Sequence, residues 1–191
     1  MLSRPERRTA AFLVALAVLS LAGCSALSPG GAPTASPTPE PPDIAVTVAN
    51  DGTGAATYTV TFGLVPGRVD AVRETTVGGE TRLVENLTAR AGANLFRPTD
   101  VVAVDPVGDL DVEGEFTLRA GDRVTGTIED PPRAATLFVY ARSDDRVVAW
   151  GSADCGDDES LTAVDFSVDD RGPGLSIGCT FRGLPESGGR G

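Results

Sequence analysis

Residues 57–62 read Thr57-Tyr58-Thr59-Val60-Thr61-Phe62. In an extended chain Tyr58, Val60 and Phe62 fall on one face and the three threonines on the other, which is the period of a half-buried strand. β-Branched and aromatic residues also suit a pleated surface. The pattern recurs in both directions. Before it, Ile44, Val46 and Val48 share parity. After it come Val112, Phe116 and Leu118, then Val124 and Ile128, then Val164, Phe166 and Val168, and finally Leu175, Ile177, Cys179 and Phe181. Two denser apolar runs, 134–141 and 146–150, predict strands that are central in a sheet or buried on both faces.

Turn chemistry separates these runs: Asn50-Asp51-Gly52, Pro66-Gly67, Gly78-Gly79, Ala120-Gly121-Asp122, Asp130-Pro131-Pro132, Ser143-Asp144-Asp145 and Arg171-Gly172-Pro173-Gly174. Many short strands punctuated in this way predict an all-β fold, a single antiparallel β-sandwich that is loosely immunoglobulin-like. The antibody signature itself is absent. Trp150 precedes both Cys155 and Cys179 rather than lying between them, and Ile177 holds the place of the corner tyrosine. Residues 85–96, ENLTARAGANLF, offer the best setting for a short helix, although Gly92 works against it.

The chain divides by composition. Residues 1–23 begin with Arg4, Arg7 and Arg8 and continue into the apolar run 10–22, which has the layout of a secretory signal peptide. That run is short for a membrane span, which needs about 20 apolar residues. Residues 24–43 hold Cys24 followed by a Pro/Ser/Thr-rich linker with little to bury, a composition that does not offset its ordering entropy. At about 3.1 Å per residue for a proline-rich chain, it would reach roughly 60 Å. Residues 44–182 carry the strand pattern, and 183–191 read as a flexible tail.

Leu21-Ala22-Gly23-Cys24 resembles the lipobox of exported lipoproteins. The resemblance covers the first 24 residues. It implies cleavage before Cys24, lipid on its thiol, and a mature chain anchored to the cell membrane facing the extracellular side. Two long chains on Cys24 would hold durably where one would not, at about 0.8 kcal/mol per buried CH₂. Arg7-Arg8 is also similar to the twin-arginine export signal, with Ala10 where a bulky apolar residue is usual. The n-region is compatible with that route and with the general secretory one.

Charge narrows the partners. The chain carries 27 acids against 16 bases, a net charge of −11; loss of residues 1–23 removes three Arg and Glu6 and leaves −13. Such a surface repels phosphate backbones, so nucleic acid is not an expected partner. Every base is Arg, and there is no Lys, His or Gln. Excess carboxylate without lysine suits a halophile, because at 1 M salt the Debye length is about 3 Å and the repulsion is screened. A high-GC genome accounts for the arginines alone. The chain as a whole resembles an exported lipoprotein of haloarchaeal type.

With Cys24 lipidated, Cys155 and Cys179 form an even pair in an oxidising compartment, and a disulfide is expected. Cys179 shares the apolar parity of the last strand, which predicts that it points into the core. Closing a loop of about 25 residues stabilises by roughly 3–4 kcal/mol in the chain-entropy account. A metal-binding or redox thiol pair is the competing role, but metal sites with one Cys pair normally recruit His.

Without His or Lys, no Ser-His-Asp triad, Cys-His pair, Ser-Lys dyad or Schiff base is possible. Haem, zinc and copper sites lack imidazole, and no phosphate-binding G-x-x-x-x-G-K-[ST] run is present. Carboxylate-only chemistry survives, such as a glycosidase pair, but the acids are too many to nominate two. No cofactor is expected. Two acidic loops are candidates for calcium, which takes six to eight oxygens. The better one is Asp154, Asp157, Asp158 and Glu159 beside the expected disulfide; the other is residues 105–111. In a chain this acidic, a solvated charge run is the simpler account of both. Asn86-Leu87-Thr88 matches the N-glycosylation sequon, with Asn86 as the acceptor.

The expected function is therefore a membrane-anchored extracytoplasmic β-domain, not an enzyme, acting as a binding or interaction module. Its expected partners are membrane lipid through Cys24 and a cell-surface protein. The alternatives are a solute-capturing lipoprotein of an importer, which is usually larger and two-lobed, and a carboxylate-dependent hydrolase.

The charge excess has a measurable consequence. Melting temperature should rise steadily as KCl is raised from dilute to molar. A flat profile would count against halophilic adaptation.

Overall fold

The alternation of residues 57–62 becomes the second of twelve strands. The structure, a computed structural model, describes residues 40–87 and 92–181, and no helix occurs among them. In chain order the strands are β1 (Ile44–Asn50), β2 (Tyr58–Val65), β3 (Ala71–Thr76), β4 (Thr81–Glu85), β5 (Gly92–Phe96) and β6 (Val101–Pro106). They continue with β7 (Asp111–Leu118), β8 (Arg123–Ile128), β9 (Thr136–Ser143), β10 (Arg146–Asp154), β11 (Glu159–Asp169) and β12 (Gly172–Phe181).

Two sheets make the sandwich. One has the order β12-β11-β1-β8 and the other β5-β10-β9-β2-β7. Their facing sides bury Val46, Val48, Val60, Phe62, Val139, Val164 and Phe166 in one core, as the period-two reading requires. The sandwich is mostly antiparallel, with one exception: β1 runs parallel to β11, with Val46 opposite Val164 and Val48 opposite Phe166. A parallel neighbour cannot be joined by a hairpin. Almost the whole domain is threaded between these two strands.

A third sheet, β4-β3-β6, covers the other face of the five-stranded sheet. Val72, Leu87 and Val101 pack there against Phe138, Val147 and Trp150. This second core explains the two dense runs. β9 and β10 are buried on both faces, so they have little reason to alternate. The third sheet was not legible in the sequence because β3 and β4 are short and mostly polar, and β3 points a glutamate inward.

That residue, Glu74, is only 4 % exposed. Its Oε1 accepts the indole N–H of fully buried Trp150 at 2.6 Å, and its Oε2 accepts Arg82 Nε–H at 2.6 Å. Arg82 also donates to Asp100 at 3.1 Å. The hydrogen bond and charge of Glu74 hold the Arg82 guanidinium above its ordinary pKa, with a smaller contribution from Asp100. Trp150 stacks on Phe96 with ring centroids 4.1 Å apart and leans on Phe138 at 5.8 Å. A buried carboxylate is tolerated when its oxygens are satisfied and a cation is close.

Four expectations need correction. Residues 85–96 are not helical where described: β4 ends at Glu85, and Gly92–Phe96 form β5, paired with β10. Residues 88–91 lie outside the described residues. The edge of β10 offers a ladder of unmet hydrogen bonds, and Phe96 gains a stacking partner there, so tertiary pairing overrides weak helix propensity. Val112 is 54 % exposed. The β2–β7 register slips between Phe62 and Gly63, so the bulge turns Val112 away from the core side. Arg171-Gly172-Pro173-Gly174 is not wholly a turn, since β12 already starts at Gly172. Pro173 is accommodated because β12 is an edge strand. Cys179, finally, is exposed rather than enclosed, although it lies opposite buried Leu161 and is joined to buried Cys155. Its parity matches partly buried Leu175 and Ile177, and its exposure comes from its place among the last residues of this edge strand, which are all exposed.

The Glu74 arrangement gives an ordered pair of outcomes in chemical denaturation. Trp150→Phe leaves a buried carboxylate oxygen without its donor and should cost about 2–4 kcal/mol. Arg82→Ala takes the half-exposed cation from the buried carboxylate on its solvent side and should cost less than Trp150→Phe. Equal losses would show that the ion pair holds Glu74 as firmly as the indole does.

Candidate functional site

Two ends of the sandwich carry most of the polar chemistry, and β1 connects them. At its Ile44 end lie the start of β11, the end of β10 and the end of β12. Cys155 and Cys179 are joined there, with S–S 2.01 Å and Cα–Cα 5.8 Å. The bridge ties an edge strand of one sandwich sheet to the end of β10 in the other.

The acidic loop beside the bridge does not gather its carboxylates. Asp154 is buried, and its Oδ1 accepts the Gly156 N–H at 2.9 Å. Asp157 is 84 % exposed at its side chain and lies 3.8 Å from Arg68. Asp158 is exposed, and Glu159 turns toward the sulfurs. Among the described residues, the one group of three or more ligand-type side chains within 4.8 Å of one another is Cys155, Glu159 and Cys179. Asp154, Asp157, Asp158 and Glu159 are thus not assembled as a calcium site. The local reason is that Asp154 serves its own turn while the next two acids face solvent. In the other acidic loop Asp105 pairs with Arg73 at 3.3 Å.

Asn86 is exposed, with φ of +62°, at the start of the connection after β4. Its amide is therefore accessible, whereas Thr88 of the sequon lies outside the described residues. So does Cys24, with the rest of residues 1–39.

At the Asn50 end of β1 the loops are held by side chains, a feature sequence reading passed over. Asn50 is 1 % exposed and acts as a hub. Its Nδ2 donates to the carbonyls of Ala56 and Leu118 at 2.9 and 3.2 Å, and its Oδ1 accepts Gly52 N–H at 3.2 Å. Its backbone bonds the 119–122 turn through Asp122 O and Gly121 N–H. Asp51 pairs with Arg123 at 3.0 Å.

The next loop is tied across the chain. Asp170 accepts the Thr53 hydroxyl at 2.6 Å and the Thr53 N–H at 3.2 Å. These bonds, the hydroxyl first, hold the Asp170 carboxyl below its usual pKa. Asp169 caps the same hairpin by accepting Arg171 and Gly172 N–H at 2.7 and 2.9 Å. Arg97 then reaches over it, donating to the carbonyls of Arg171 and Pro173 at 3.1 Å each. Gly172, at φ +122°, lies directly beneath the guanidinium, so a side chain there would meet both strain and Arg97. The only signal in the sequence was Asn-Asp-Gly, and it reads as an ordinary turn.

The arrangement presents a rigid, polar, solvent-facing rim. It contains no imidazole or amine to move a proton near neutral pH. Comparison with family models, with curated proteins and with solved structures finds no match to this chain.

The Asp170 bonds set a pH response. A carboxyl whose folded pKa is depressed adds stability above its unfolded pKa and loses it as pH falls through the lower folded value. Thr53→Val should therefore raise the Asp170 pKa toward the ordinary carboxylate range in an NMR titration. It should also speed amide exchange in residues 51–56. An unshifted Asp170 titration would show that Thr53 does not hold it.

Proposed function

We propose that this protein is a membrane-anchored extracytoplasmic binding module, lipidated at Cys24, that presents the loops at the Asn50 end of β1 to a cell-surface partner. The observation that supports this most directly is the fixing of those loops. The linker joins the domain at Ile44, and the opposite end of β1 carries residues 51–57, 119–122 and 170–171, pinned by Asn50, Thr53, Asp169 and Arg97. Ordering a loop on binding costs affinity, so a rim held in place before contact binds more tightly for the same surface. Loops on a rigid scaffold are also where recognition residues concentrate.

The chemistry of the rim suggests a polar protein surface as partner. Asp51 is engaged by Arg123 and Asp170 by Thr53, while the Arg171 side chain and Ala55 face solvent. The surrounding negative charge disfavours an anionic partner. The glycoside-hydrolase and importer readings have no comparable arrangement in their favour.

The test uses the native, anchored protein. The isolated mature chain should begin at Cys24 and carry a lipid mass adduct; a start at Met1 without adduct would sink the anchored reading. A photocrosslinker placed at Ala55 should capture one saturable protein partner on cells. The same group at Asp158, at the linker end, should not. Equal capture at both positions, or none at Ala55, would overturn the assignment of this rim.

A further inference from the structure

The disulfide is asymmetric in access. Cys179 is exposed near the end of β12, whereas Cys155 is 8 % exposed. The approach for an external thiol is therefore more open on the Cys179 side than on the Cys155 side. The same corner is unusually negative. A Glu159 carboxylate oxygen and both sulfurs lie within 4.8 Å of one another, and Asp157 and Asp158 project from the joining loop. Arg68, 3.8 Å from Asp157, offsets one of these charges. Among the described residues the acidic loop gathers no three carboxylates for a cation, but it sets Glu159 beside the Cys155–Cys179 bond.

We infer that Glu159, backed by Asp157 and Asp158, guards the Cys155–Cys179 bond against anionic thiols. In the reaction it opposes, an external thiolate attacks Cys179 Sγ and forms a new S–S bond. The Cys155–Cys179 bond breaks, and its electron pair leaves on Cys155 Sγ as a thiolate. A second external thiolate attacks the first external sulfur, releasing Cys179 as a thiolate and an external disulfide. Two steps meet the carboxylates. The incoming nucleophile is an anion approaching like charge. The departing electron pair collects on a buried sulfur beside Glu159, where burial and negative charge both disfavour the thiolate. The exposed end of an edge strand is thereby kept tied to β10 without the bond being buried.

The two contributions separate experimentally. Reduction of the intact oxidised chain is followed by alkylation and mass spectrometry, with anionic 2-mercaptoethanesulfonate or cationic cysteamine, at salt concentrations where circular dichroism shows it folded. The wild-type protein should react faster with cysteamine. Glu159→Gln should lower that preference about threefold to tenfold, as expected for removing one charge at contact range, and should raise the rate with both thiols. Asp157→Asn with Asp158→Asn should lower the preference in dilute salt but not at 1 M, where the Debye length is about 3 Å. Because the comparison is a ratio within one variant, a change in access that affects both thiols cancels. Asp144→Asn, at the opposite end of β9, tests net charge and should leave the ratio unchanged. The inference is overturned if Glu159→Gln matches wild type in ratio and rate, or if Asp144→Asn has an equal effect.

Discussion

The bond between the Trp150 indole and the Glu74 carboxylate sets the terms for the rest of the fold. Trp150 sits on a strand whose two faces are both covered, so its N–H has no route to water. An unmet indole donor there would cost the desolvation of a polar group. Glu74 supplies the acceptor, and in doing so fixes β3, and with it the third sheet, over the five-stranded one. Arg82 and Asp100 then lead the charge outward to solvent. The second core is thus organised around one polar contact, whereas the first core is apolar with a disulfide at its edge.

The same economy appears at both ends of the sandwich. In a chain with no Lys or His, every cationic hydrogen bond comes from a guanidinium fork, and the structure uses it for reach. Arg97 clamps a hairpin through two carbonyls, and Arg123 ties Asp51 at the end of β1. Neutral side chains do the inner work: Asn50 satisfies three backbone groups at once. An acidic surface is compatible with this because solvent-facing carboxylates such as Asp158 are hydrated and screened by salt. With Asp157, which pairs with Arg68, they shape a local field whose range depends on salt.

Much of the sandwich was legible because its strands obey a simple rule. Val46, Val48, Val60, Phe62, Val164 and Phe166 alternate and are buried as alternation demands. The misread residues lie where a bulge or an edge intervenes. Val112 follows a register slip, and Cys179 lies near the end of an edge strand, so correct parity led to the wrong surroundings. The candidate rim was less legible still, because Asn50 and Asp170 look like turn residues until their partners, distant in sequence, are known.

Local chemistry in the sequence determined what can be decided by neighbours. Period-two patterning set the fold class, turn residues set most strand limits, and residue inventory removed imidazole and amine chemistry. The even pair of cysteines in the β-domain also pointed to the crosslink that the structure contains. Tertiary structure alone decided the parallel union of β1 with β11, the third sheet, the inward glutamate and the exposure of Cys179. Each of these depends on which strands lie side by side, and that choice is made by contacts between residues tens of positions apart. No periodicity within a single strand encodes it.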